Sequence, residues 1–150
     1  PPFHASSYHR SRLLLDIARL EQASAAGDQV ARRDWKRHAR RSARAALRTA
    51  AKVAWRRTEV LRLVGRYRAL LGHRRAAARF YERSLTEGSR LGARPETART
   101  WAEAGRWLLQ QGQPRASLHG ATALECLSCA RQTFEALDLT ADLERLGRLP

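Results

Sequence analysis

Apolar positions recur along this chain with the period of an α-helix, and glycines break the pattern at intervals. Leu13, Ile17, Leu20 and Ser24 fall on one face of a helix over 10–26, with Leu14 and Ala18 beside them. Gly27 stops that helix, and Asp28 is placed to N-cap a second one over 29–54. There Ala31, Trp35, Ala39, Ser42, Ala46, Ala50 and Val53 form a narrow stripe of mostly small residues. A third helix, 55–71, is apolar on two sides: Val60, Leu63, Tyr67 and Leu70 on one, Leu61, Val64, Gly65 and Leu71 on the other. Such a helix is expected between neighbours on both flanks. A fourth helix, 74–91, buries Ala77, Phe80, Tyr81, Ser84, Gly88 and Leu91. Pro95 opens a fifth, whose core residues are Ala98, Trp101, Ala102, Gly105, Leu108 and Leu109.

The third and fifth helices carry the same landmarks. Trp101-x-x-Ala104-Gly105 repeats Leu61-x-x-Val64-Gly65, and Gly112 repeats Gly72, each at an offset of 40 residues. The second copy then slips. Ala77-x-x-x-Tyr81-x-x-Ser84 returns late, as Ala130-x-x-x-Phe134-x-x-Leu137. The intervening residues include Gln113-Pro114 and Ser117 to Gly120 and are expected to form a loop before a sixth helix over 121–137. A last helix, 140–146, offers Leu143 and Leu146, with Leu139 just before it, as a cap on the stack. No strand is expected.

A large residue, a small glycine, a turn, then Ala and an aromatic one turn apart resembles the tetratricopeptide repeat. Tyr67 lies one residue short of that family's first tyrosine, and Ser89 stands where its proline would be. The run from Gly65 to Leu109 and the ending Ala130 to Leu146 resemble, more narrowly, the C-terminal helical repeats of large bacterial signalling ATPases. The likeness covers roughly 55–146. It implies an all-α solenoid of antiparallel helical hairpins, about seven helices in all, acting as an interaction module within a larger signalling protein. The corresponding division is a flexible lead-in (1–9), a basic hairpin (10–54), one repeat (55–93) and a second repeat with an inserted loop and a cap (94–146), making one domain over 1–150. The chain contains no Met and is expected to be a segment of a longer protein. None of the ATPase itself is present: G-x-x-x-x-G-K-[ST] does not occur.

Charge sharpens the picture. The net charge is +15, and 27 of the 29 basic residues are Arg, the exceptions being Lys36 and Lys52. With abundant Ala, Leu and Gly, this composition also fits a GC-rich coding bias. Residues 1–58 hold 14 basic and 4 acidic groups, residues 59–150 hold 15 and 10, so the excess lies towards the N-terminus. Arg33, Arg37, Arg40, Arg44, Arg48 and Lys52 follow one another at spacings of three or four and share a face opposite the small-residue stripe. No aromatic interleaves, which argues against stacking of single-stranded bases.

Catalytic and metal chemistry find little footing. Cys126-x-x-Cys129 lacks the strand and helix start of a redox motif and the four ligands of structural zinc; His119 would be a third ligand at most. No catalytic constellation stands out, so no enzyme, metal or cofactor is predicted. No apolar run reaches the roughly 18 residues of a membrane span, and a cysteine pair of this kind suits the cytoplasm. The repeat resemblance directs attention to the inner groove, where Glu59, Arg62, Arg66, Ala69, Arg99, Ala102, Arg106 and Leu109 are expected. It implies that Arg62, Arg66, Arg99 and Arg106 receive an acidic protein segment or a neighbouring domain of the full-length chain. The family's clamp for a terminal carboxylate uses Lys and Asn, and this chain has no Asn. The second expectation is a nucleic-acid or other polyanion partner on the basic face of 31–54.

Overall fold

The computed structural model describes residues 2–112 and 116–147. They form seven helices, α1 (Pro2–Ala25), α2 (Gln29–Ala50), α3 (Ala54–Leu70), α4 (Arg74–Leu91), α5 (Arg94–Gln110), α6 (Ala123–Ala136) and α7 (Thr140–Gly147). Between α5 and α6 lie two short strands, β1 (Ser117–Leu118) and β2 (Ala121–Thr122), paired antiparallel. The fold is all-α. Three helical hairpins, α1–α2, α3–α4 and α5–α6, stack side by side, and α7 closes the end of the row. Three-residue turns force α1–α2 and α3–α4 to run antiparallel, while α5 and α6 are joined by the longer connection that carries the two strands.

Helix limits follow local chemistry. Asp28 accepts from the Val30 and Ala31 amides and starts α2, as its position predicted. Gly72 and Gly112, the repeated pair, both adopt positive φ (+74° and +63°) just past α3 and α5. The α2–α3 turn is clamped by Arg57, which donates to the Ala50 and Ala51 carbonyls at 3.0 and 2.9 Å and ion-pairs with Glu87 of α4 at 3.1 Å. Thr122 and Glu125 cap α6 reciprocally: the Thr122 hydroxyl accepts from the Glu125 amide, and the Glu125 carboxylate accepts from the Thr122 amide.

The glycines inside α3 and α5 mark the crossings within their hairpins. A Cβ on Gly65 would meet the Tyr81 ring of α4 at 3.0 Å. One on Gly105 would lie 2.8 Å from Leu127 Cγ and 3.0 Å from the Ala123 carbonyl oxygen, both of α6. α3 is the central helix, buried from Thr58 through Gly65 between the first hairpin and the α4–α5 pair. One apolar cluster joins Leu13, Ile17 and Leu20 to the alanines of α2 and to Val60, Leu63 and Tyr67. A second joins Tyr81 and Leu85 to Trp107, Leu108 and Cys126. A third joins Ala98 and Ala102 to Phe134 and Leu146, so α7 caps the stack as its leucines predicted. Ser84 donates to the Thr58 carbonyl at 2.8 Å and shares a 2.9 Å hydrogen bond with Thr100, tying α3, α4 and α5 through a buried polar knot.

Three expectations need correcting. The lead-in at 1–9 is helical from Pro2, because Ser6 is buried and Ser7 accepts from Arg56 of α3, so tertiary contacts hold the turn that the sequence left unassigned. On α1, Ala23 and Asp16 are buried in place of Ser24, Leu14 and Ala18. The expected strand-free loop contains the β1–β2 hairpin, which carries Leu118 into the second cluster; Gln113-Pro114 lies outside the described residues.

Candidate functional site

The odd-numbered helices, with Phe134 of α6, line a groove of about 710 Å³. Arg10 comes from α1, Arg56, Glu59, Arg62 and Arg66 from α3, Glu96, Arg99, Glu103 and Arg106 from α5, and Asp142 and Arg145 from α7. All four arginines expected at the inner surface are therefore brought together, along with Glu59 and Ala102. Ala69 lies in an adjoining 350 Å³ hollow beside Tyr81 and Trp107 instead. Leu109 lines neither; it is 48% exposed, one position past the stripe that Leu108 completes.

Most of these arginines are already paired within the chain. Arg66 makes a bidentate pair with Glu21 of α1 at 2.7 and 2.8 Å. Arg62, only 8% exposed, reaches Glu96 at 3.0 Å and Glu103. Arg99 grips Asp142 of α7 at 3.1 and 2.9 Å and also meets Glu96. Arg10 and Arg56 share Glu59 at 2.8 and 3.1 Å. These ties run from each hairpin to the next along the inner row. Burial alone would make Arg62 less basic, but Glu103 and Glu96 more than reverse that and hold it above its ordinary value. Burial likewise opposes ionisation of Glu59, and Arg10, with Arg62 and Arg56 behind it, carries its carboxyl below the usual range. The Arg99 guanidinium keeps Asp142 low in the same way.

Arg106 is the exception. Its guanidinium donates to the Arg145 carbonyl, its Nε is buried without a partner, and among the described residues it has no carboxylate. Seven arginines and four carboxylates line the groove, so it stays positive. Its chemistry is that of hydrogen-bond donors held in fixed positions for an acceptor, with no nucleophile paired to a base.

The basic face of α2 lies elsewhere. Arg33, Arg37, Arg40, Arg44, Arg48 and Lys52 are all exposed, and none lines the groove. Sequence reasoning missed the carboxylate partners of the groove arginines. Glu21 and Arg66 are 45 residues apart and Arg99 and Asp142 are 43 apart, distances that no local spacing reveals. Cys126 is buried in α6, its thiol directed at the Ala121 carbonyl and pushed up to about 11 by burial, while Cys129 is exposed. His119 packs edge-on to Trp101 at 6.0 Å. Among the described residues no three His, Cys, Asp or Glu side chains gather as a metal site, and no helix is long and apolar enough to cross a membrane.

No family model, curated protein or solved structure matches the chain.

Proposed function

We propose that this chain is a tetratricopeptide-like interaction module of a larger cytoplasmic signalling or regulatory protein. It holds an acidic segment, from a partner protein or from a neighbouring domain of its own polypeptide, in the inner groove. The observation that carries this proposal is the convergence of Arg62, Arg66, Arg99 and Arg106 on one groove that remains positive after its own carboxylates are counted. The two free thiols, Cys126 and Cys129, suit a reducing compartment.

The pairing pattern divides the arginines by role. Arg62, Arg66 and Arg99 are struts between helices, whereas Arg106 is the groove guanidinium that no carboxylate engages among the described residues. Selecting from a displayed library of random dodecapeptides should return sequences rich in Asp and Glu. Calorimetry on a selected peptide should then show Arg106→Ala weakening binding by about 2 kcal/mol or more, as loss of a desolvated charged contact does. A melt should show that fold intact. Arg62→Ala should act on stability first, because it strips the part-buried Glu103 of its partner, at a cost of ~3–5 kcal/mol, and leaves Glu96 to Arg99 alone. Selected peptides without acidic residues, or an Arg106→Ala variant that binds them as tightly as the parent, would overturn the proposal.

A further inference from the structure

The outer face of α2 presents a problem that the groove does not. Between Arg33 and Lys52 eight cations are exposed: the six in the row, with Lys36 and Arg41 at its edges. Among the described residues only Arg37 has a carboxylate within ion-pair reach, Asp34 at 3.2 Å. Like charges three and four residues apart repel, at ~0.2–0.5 kcal/mol per pair. An arginine-rich composition does not account for the contrast with the groove, where arginines from the same chain are bound to carboxylates. α4, the other outer helix of the long hairpins, carries Glu82 and Glu87 among its arginines; α2 has only Asp34, near its start. Arg68 of α3 lies beside the row, close to the same tyrosine as Arg40 and Arg44. Arg68 lies over the Tyr67 ring at 5.6 Å, its Nε is buried without a partner, and its charge bears on the Tyr67 phenol together with those of Arg40 and Arg44.

We propose that the outer face of α2, with Arg68 of α3, is a docking surface for the phosphate backbone of a nucleic-acid duplex. The row runs about 28 Å, at roughly 1.5 Å per residue, and so lies alongside about eight base pairs at ~3.4 Å each. Cations one turn apart along it are spaced ~6 Å. The opposite side of α2 is buried through Ala39, Ser42, Ala43, Ala46 and Ala50, and the exposed side presents cations at one-turn intervals along its length rather than a short group of base-reading side chains at one end. Contact is with phosphates, and binding is therefore independent of sequence. The same burial leaves no apolar face of α2 free to sink between lipids, as an inserting membrane-surface helix requires. Trp35 packs half-buried against the first apolar cluster and offers no platform for unpaired bases. This surface is separate from the groove, and either can fail without the other.

The test is anisotropy of a labelled 20-base-pair DNA duplex of random sequence, titrated with the full 150-residue chain from about 50 to 300 mM salt. The log–log salt slope should be near −0.9 per phosphate neutralised. Replacing Arg37, Arg44 and Arg48 together by Ala should weaken binding at least tenfold at 100 mM salt and flatten the slope by about 2–3. Those side chains are exposed, so circular dichroism should show helicity unchanged. A control triple, Arg75, Arg79 and Arg83 to Ala on α4, should bind within about threefold of the parent. Arg106→Ala should leave duplex binding untouched, which separates this result from failure of the groove. No binding at 50 mM salt would overturn the proposal, as would equal losses in both triples. So would vesicles containing phosphatidylserine, or polyglutamate, binding the α2 face more tightly than the duplex does.

Discussion

Gly65 and Gly105 hold the same post in two hairpins, and each answers to a different neighbour. Gly65 faces the edge of the Tyr81 ring, a side chain only 2% exposed and fixed by the second apolar cluster. Gly105 faces Leu127 and a backbone carbonyl of α6. An alanine at Gly105 gains about 1 kcal/mol of helix propensity but must push against backbone, where overpacking costs ~1–3 kcal/mol. Gly105→Ala should therefore lower stability by up to ~2 kcal/mol, and Gly65→Leu by more, since it drives a whole isobutyl group into Tyr81. Urea melts of both variants check this; a parent-like midpoint in either would remove that glycine from the crossing. These two residues were legible in advance because a shared offset of 40 singled them out. Ser84 was legible only as a small residue. Its hydrogen bonds to Thr58 and Thr100 depend on helices that no spacing within α4 could position.

Among the elements, α4 is the clearest case of sequence dictating structure. A glycine stop on each side and one amphipathic face suffice to set its limits. The ends of α1 and α6 show where such reasoning stops. The first turns of α1 carry no apolar period, yet Ser6 is buried and Ser7 is held to Arg56 of α3, 49 residues distant. The segment before α6 offers one proline and two glycines, which announce a loop but not the pairing of Ser117 with Thr122. That pairing delivers the chain to Thr122, whose capping box with Glu125 starts α6 in a fixed place. Thr122→Ala should cost ~1 kcal/mol and should raise amide exchange in the first turn of α6 ahead of the rest of the helix. Uniform exchange along α6 in that variant would show that the strands, not the cap, set its start.

For the whole molecule, the relation between hairpins rests heavily on charge. Apolar clusters fill each hairpin and its junctions, but the inner edges of α1, α3, α5 and α7 are tied by arginine–carboxylate pairs. Glu59 and Asp142 sit below their ordinary pKa, and on the outer side Arg90 and Arg57 bring Glu87 down to about 2. A carboxylate depressed in the folded state contributes stability that is whole above its unfolded value near 4.5. That contribution drains away as pH falls through the folded value. The melting temperature at low ionic strength should thus hold steady from pH 7 to about 5 and fall between pH 4.5 and 2. Glu87→Gln should reduce the drop towards pH 2. A flat profile through that range would show that the pairs do not stabilise the stack. The sequence offered the arginines and the number of carboxylates, but which would meet depended on the stacking itself, so the groove's residues were foreseeable and its internal neutralisation was not.

The near-exclusive use of arginine has a practical consequence for anyone handling this protein. Guanidinium groups do not react with succinimidyl esters or acetylating reagents at neutral pH. The side-chain amines therefore number two, Lys36 in α2 and Lys52 in the turn behind it, both exposed and neither lining the groove. Amine acylation accordingly modifies these side chains on one helix and its end. A surface coupled through them tethers the molecule by its most cationic element and leaves the concave side facing solution. Peptide capture on such a chip should match that in free solution, while duplex capture should be suppressed. The reverse ranking would mean that the two surfaces had been assigned the wrong way round.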